Sequence, residues 1–450
     1  MLGWRALRAQ TPRSVPIPGV EIGQPITAFA LRNVSVIDAT GKPAQPAMTV
    51  IIAKGRIESL GPVATTRVTP GVQVFDAGGK FLIPGLWDMH GHPVWLREST
   101  DTFPMFIANG VTGSRTMGGR PPIVARLLQA RKEIADGKRL GPRLVVASPT
   151  MWGSFVRNAG ESRAAVRQAI SDGADFIKVY DDLTRESFFA IADEAKTLGS
   201  SFSGHVPDEV SLSECAKAGQ RSFEHMAGIR RHVQQTVGGN NGYVRMESLS
   251  PAQVAAVAAV FRETHSWICP TLIIPFGQTG DDSLGMDPRL KYVDSSIRKE
   301  WAEILKRAQE NPRRANVRQR HGEHLAIIGA MHKAGVGILA GIDASLGPAG
   351  AHAIPGFGMH DELRLLVSAG LSPMDALQTA TYNAAQFLGL LDSLGTVERG
   401  KLAELVLLDA NPLDDISNTR KINTVFTGGR VYRRPALDAI LSAVEANARD

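Results

Sequence analysis

From residue 81 to residue 343, short apolar segments alternate with stretches that carry helix-start and helix-stop signals. That alternation restricts the chain to βα repeats, and hence to a parallel sheet covered by helices. The apolar segments are FLIPGLWDMH, GVTGSRTM, RLVVASPTM, DFIKVY, SFSGHV, RSFEHM, WICPTLII and GVGILAGID. Eight is the number a (β/α)8 TIM barrel requires. Several helix starts are explicit. Ser211 stands three residues before Glu214, a capping box, and Gly219 closes that helix. Ser250-Pro251 with Gln253, and Ser372-Pro373 with Asp375, repeat a serine cap followed by proline at the first helical position.

The ends have another texture. FALRNVSVID, TVIIAKGRIESLG and VQVFDAG precede the repeats, and LAELVLLDANP and INTVFTGGRVYRR follow them; all read as short strands broken by turns. Neither set can bury a core alone, so the two are expected to pack together as one small β-sandwich. The expected organisation is an α/β protein with a basic tail (1–27), a discontinuous β-sandwich domain (28–84 with 394–434), a catalytic barrel (85–393) and a C-terminal helix or tail (435–450). Residues 285–314 read as an excursion after the seventh strand, a lid or rim.

With 450 residues, 43% of them hydrophobic, there is ample material for a barrel and a smaller domain. No apolar run reaches the roughly 18 residues of a membrane span, and the basic start lacks the apolar run of a secretory signal. A cytoplasmic protein without a membrane partner is expected, unless a leader is absent from the sequence. The net charge is +6, but Arg5, Arg8 and Arg13 sit in the tail, and no Lys/Arg stripe interleaves with aromatics. Nucleic acid is therefore not expected as a partner. Two cysteines, Cys215 and Cys269, form no CxxC, so any metal must be held by nitrogen and oxygen.

Those donors are present. His90 and His92 stand two apart on one strand, so both side chains point to the same face. At the carboxyl end of a barrel strand that face opens into the active-site mouth, and neutral imidazole is a common ligand for zinc and similar metals. His205 ends SFSGH, His225 ends RSFEH and Asp343 ends GILAGID, each followed by turn-like or helix-starting sequence. Tyr180, two beyond Lys178, shares its inward face and is a candidate for a substrate or oxyanion hydrogen bond, with simple packing at the mouth an equal alternative. Arg157 could clamp a substrate carboxylate, though an exposed arginine at the rim is the favoured reading. The remaining histidines, His232, His265, His321, His324, His332 and His352, read as solvent-facing or packing groups.

FLIPGLWDMHGHP, DFIKVY, SGHVP, SFEHMAG and LAGIDAS, followed by HDELRLLVSAGLSPMDALQTATYNAAQFLG and GKLAELVLLDANPLDDI, resemble the amidohydrolase superfamily. Within it the chain resembles the imidazolonepropionase-related, prolidase-like branch, over about 28–433. The resemblance implies two divalent metal ions, zinc first. His90, His92 and Asp343 would hold the more buried ion, and His205 and His225 the more exposed one. Lys178 matches the bridging lysine, N6-carboxylated to a carbamate whose oxygens span both ions. A metal-bound water, its pKa lowered to roughly 7, would then attack a polarised carbonyl. Asp343 would accept the water proton and pass it to the leaving nitrogen. His360 and Glu362 in GMHDEL match a familiar stretch of the superfamily, with His360 a candidate for substrate contact and helix capping or surface pairing an equal alternative. Relatives often carry an Arg-Asp pair where this chain has Arg115-Thr116, so a buried Arg115 is expected to lose a partner.

The function implied is hydrolysis of an amide-like C–N bond in a small molecule: a dipeptide, N-acyl amino acid, carbamate or urea. Single-metal hydrolysis of a cyclic amidine or deamination, and dimetal lactone or phosphotriester hydrolysis, remain open. A non-catalytic scaffold fits least, since all six ligand positions are filled. Homo-oligomers are common in the superfamily, and the sequence marks no interface.

Overall fold

The computed structural model describes residues 20–21, 23–94, 101–226, 228–229, 231–232, 251–347 and 350–448. Most of the basic tail, and the Ser250 cap, lie outside them.

Six strands come first: β1 (Gln24–Pro25), β2 (Ala28–Val36), β3 (Gln45–Ala53), β4 (Arg56–Pro62), β5 (Gln73–Asp76) and β6 (Phe81–Pro84). Eight follow in the middle of the chain: β7 (Leu86–Gly91), β8 (Val111–Thr116), β9 (Arg143–Val146), β10 (Ile177–Val179), β11 (Phe202–Gly204), β12 (Gln220–Glu224), β13 (Trp267–Cys269) and β14 (Gly337–Ile338). Three complete the set: β15 (Leu405–Leu408), β16 (Ile422–Thr427) and β17 (Arg430–Arg433).

The middle strands form two parallel sheets, β7-β8-β9 and β10-β11-β12-β13-β14. Parallel bridges Ala147–Phe176 and Met151–Val179 join β9's extension to β10. On the other side, Met89 N donates to Ala340 O at 2.9 Å, and Asp343 N donates to His90 O at 2.7 Å. A helix follows every one of these strands, from Phe103–Ala108 after β7 to Phe357–Ser368 after β14. The fold is mixed α/β, and its sheets are consistent with a barrel beside a sheet domain. Both described serine caps form capping boxes: Ser211 with Glu214, and Ser372 with Asp375.

FLIPGLWDMH, expected as one strand, is two. Proline at 84 supplies no ladder donor, and Gly85 approaches β8 so closely that a Cβ there would lie 2.1 Å from Thr112 Oγ1. The chain thus changes sheets between β6 and β7. The two chain ends make one continuous nine-stranded sheet where a sandwich was expected. β6 is the reason: it pairs antiparallel with β15 on one side and parallel with β2 on the other. Apolar residues of both ends, including Leu31, Ile52, Leu82, Leu405 and Phe426, share one core beneath it.

The excursion is helical. Helix Ser295–Glu310 buries Ile297, Trp301 and Leu305. Ile297 and Trp301 join a core with Ile354, from the loop after β14, and Val444, from the C-terminal helix Arg434–Asn447. Among the described residues, no helix is long and apolar enough to cross a membrane.

Candidate functional site

Asp88 and His90 lie on β7 and His92 follows its end, while β10 carries Lys178 and the loops after β11, β12 and β14 bring His205, His225 and Asp343 to them. The His90 and His92 rings lie 5.4 Å apart, His90 and His225 4.8 Å, and His225 and His205 5.0 Å. Asp343 stands among them: its Oδ1 is 3.1 Å from His92 Nε2 and 3.5 Å from His90 Nε2, and its Oδ2 is 3.7 Å from His225 Nε2. The donor atoms of His90, His92 and Asp343 all fall within 4.8 Å of one another.

The backbone is bent to achieve this. His225, Thr271 and Asp343 all sit at positive φ, 62°, 48° and 49°. Non-glycine residues rarely adopt that region, and their clustering marks a functional site. Gly204, at φ +146°, has no such difficulty, but a Cβ there would lie 2.1 Å from Val179 O. Only glycine lets β11 approach β10 closely enough to present His205.

The electrostatics suit cation binding. Burial holds the imidazoles neutral: His90 is pushed well below the usual range, His205 to about 3, and His225 downward as well. Burial would raise the Asp343 carboxyl, but His90, His92 and His225 outweigh it and keep it well below the ordinary carboxylate range. Lys178 is 2% exposed, and its Nζ has no hydrogen-bond partner. Burial lowers that ammonium to about 8 against the pull of Glu224 and Asp343. Neutral nitrogen donors, one carboxylate and an orphaned buried amine are a donor set that fits divalent metal.

Neighbours orient the candidate ligands. His90 Nδ1 lies 2.7 Å from Glu224 Oε2, and His225 Nδ1 lies 2.6 Å from Thr271 Oγ1, leaving each Nε2 for the centre of the cluster. Asp88 Oδ1 accepts from the amides of His90 and Ile342, tying β7 to the loop after β14. Burial lifts the Asp88 carboxyl to about 7.

Tyr180 is half-buried and stacks on the His205 ring at 4.3 Å, inclined 28°. Arg157 and His360 are not brought to the cluster. Arg157 is exposed and paired with Glu161 at 2.8 Å. His360 is buried, with Nδ1 3.0 Å from Thr419 Oγ1. Glu362 is also buried and accepts from the amides of Leu272 and Ile273, so it caps the helix Ile273–Gly277.

The expected orphaning of Arg115 is overturned. Arg115 pairs with Glu224 at 2.9 Å and donates to Ser222 Oγ and Met89 O. Its guanidinium also lies over Phe176 and Phe387. Glu224 replaces the missing Asp from a strand more than 100 residues away. Sequence reading passed over Glu224 and Asp88. The alternation that linked His90 to His92 reaches Asp88 one step earlier, whereas nothing local marks Glu224.

Comparison with known proteins places the chain in a family. The model of the amidohydrolase family matches residues 81–432. Ochratoxinase of Aspergillus niger is 22% identical over 428 residues, covering 79% of this chain and 76% of that protein. Among solved structures, bottromycin amidohydrolase superposes with a TM-score of 0.74 at 23% identity, covering 99% of this chain and 97% of that one. A Xaa-Pro dipeptidase with bound methionine gives 0.66 at 21% identity, covering 90% and 100%. With the family match spanning both parallel sheets and the site between their strand ends, this chain is a hydrolase that belongs to the amidohydrolase family.

Proposed function

We propose that the protein is a metal-dependent hydrolase that cleaves an amide-like C–N bond in a dipeptide, N-acyl amino acid, carbamate or urea. His90, His92, Lys178, His205, His225 and Asp343 would hold two divalent ions, zinc first. The observation that carries this reading is Lys178. A buried amine without a partner costs free energy, and one ammonium among the ligands would repel both ions. Lowered to about 8, its neutral form is accessible near neutral pH. Reaction of that amine with carbon dioxide, with loss of a proton, gives a carbamate: an anion with two oxygens where the cations need one.

When bound, such ions would acidify a coordinated water and polarise the substrate carbonyl. The chain's own residues do the rest. Asp343, ionised at neutral pH, takes the proton of the attacking water and delivers it to the departing nitrogen. The Tyr180 hydroxyl donates to the carbonyl oxygen as charge develops on it. Glu224 holds the His90 ring in one tautomer throughout. We read the parallel strands as a closed (β/α)8 barrel over 85–393, with 28–84 and 394–434 as its companion domain. The dipeptidase and the amidohydrolase among the solved relatives support a C–N bond as target.

The compact trio His90, His92 and Asp343 would by itself suit a single ion, as cyclic amidine hydrolysis or deamination requires. Metal content decides. Elemental analysis of wild type and Lys178→Ala, prepared with bicarbonate, should find two ions per chain falling in the variant together with amide hydrolysis. One ion in both, with turnover indifferent to Lys178, would sink the two-ion reading.

A further inference from the structure

One flank of the site is an unbroken run of rings. Tyr180 stacks on His205 at 4.3 Å, Trp152 meets Tyr180 edge-on at 6.1 Å, and Phe155 lies 5.5 Å beyond Trp152. Trp152 and Tyr180 are half-buried, while Phe155 is 40% exposed. Three steps thus lead from a candidate metal ligand to solvent. The outermost ring fills no core and is held against Trp152.

The backbone beneath these rings is clamped. Gly153 N donates to Asp182 Oδ1 at 3.0 Å, and a Cβ at Gly153 would lie 2.3 Å from Asp182 O. Met151 N donates to Lys178 O at 2.9 Å. Val156, just beyond the rings, is buried. The loop after β9 is therefore pressed against the loop after β10, and Trp152 and Tyr180 are presented from a rigid base. A ligand would meet a preformed wall and spend little free energy ordering it.

The wall is selective in kind. Nearby Arg157 is exposed and engaged with Glu161, and the strip itself is built of uncharged rings. It offers ring faces and edges, which favour a flat aromatic partner in offset or edge-on geometry over an alkyl chain. We infer that Tyr180, Trp152 and Phe155 form a subsite for an aryl substituent of the substrate, running from the scissile carbonyl outward. This rests on the amide-hydrolase reading and narrows it to amides bearing an aromatic group.

The test compares kcat/KM for N-benzoyl-alanine and N-acetyl-phenylalanine, each against N-acetyl-alanine, in metal-loaded wild type, Trp152→Ala and Trp152→Phe. A ratio taken within one preparation is independent of how much of it is folded. At least one aryl substrate should be preferred in wild type. That preference should fall about tenfold in Trp152→Ala and return in Trp152→Phe. No aryl preference, or one untouched by Trp152→Ala, overturns the subsite. If none of these amides is turned over, the amide reading fails, and calorimetric titration judges the subsite separately. Benzoate binding more tightly than cyclohexanecarboxylate to wild type, with the difference lost in Trp152→Ala, supports it; equal binding overturns it.

Discussion

His90 Nδ1 and Glu224 Oε2 lie 2.7 Å apart, with the two side chains 1% and 0% exposed. The other oxygen of Glu224 meets Arg115, itself 1% exposed, so one carboxylate serves a candidate metal ligand and neutralises a buried guanidinium. The site is thereby coupled to the interior charge balance of the parallel sheets.

Replacing Glu224 should separate these roles. Glu224→Ala leaves Arg115 buried and unpaired, at a cost of about 3–5 kcal/mol in denaturant unfolding of the metal-free protein. Glu224→Gln keeps the shape but weakens the hold on His90, and should lower metal affinity roughly 10–100-fold in competition titrations. Equal affinity in Glu224→Gln and wild type would show that the contact does not orient the ligand.

Chelation should remove both activity and stability. An ion held at 100 times its dissociation constant stabilises the native state by about 2.7 kcal/mol. Dialysis against chelator should lower the melting temperature, and re-addition of metal with bicarbonate should restore it. Lys178→Ala should recover less than wild type in the same experiment.

His360 supplies a pH prediction away from the cluster. Burial pushes its imidazole from 6.5 to about 3. Between those values the unfolded chain binds a proton that the native state does not. Its contribution is therefore intact above pH 6.5 and lost as pH falls, at up to about 1.4 kcal/mol per pH unit. Glu362, raised to about 8 by burial, acts in the opposite sense, because there the native state holds the extra proton. The raw curve mixes the two, so wild type is compared with His360→Gln. Unfolding measured from pH 6.5 down to about pH 4 should show the variant losing less stability. Parallel curves would refute the assignment.

Two glycines should respond oppositely to alanine. At Gly204, φ +146° and a 2.1 Å approach to Val179 O forbid a Cβ. Gly204→Ala should cost about 1–3 kcal/mol or more and weaken metal binding by displacing His205. Gly322, inside helix Arg314–Lys333, has nothing within 4 Å of a built Cβ. Gly322→Ala should stabilise by about 0.4–1 kcal/mol, read from thermal or denaturant melts.

Much of this architecture is legible in the amino-acid sequence. Strands and capped helices are local, each decided by a few neighbouring residues, so the eight parallel strands and the capping boxes of Ser211 and Ser372 can be read from the chain. The period of two along a strand puts His90 beside His92 and, one step earlier, puts Asp88 there too. What only the tertiary structure decided is who meets whom across long separations. Glu224 finds Arg115, His360 finds Thr419, β15 finds β6, and Trp152 reaches Tyr180 through a loop that Gly153 allows to close. Such pairings depend on how elements pack, and burial then turns them into chemistry: a histidine that titrates ordinarily in water becomes a neutral donor, and a lysine is shifted toward its neutral amine, once hydration is stripped away.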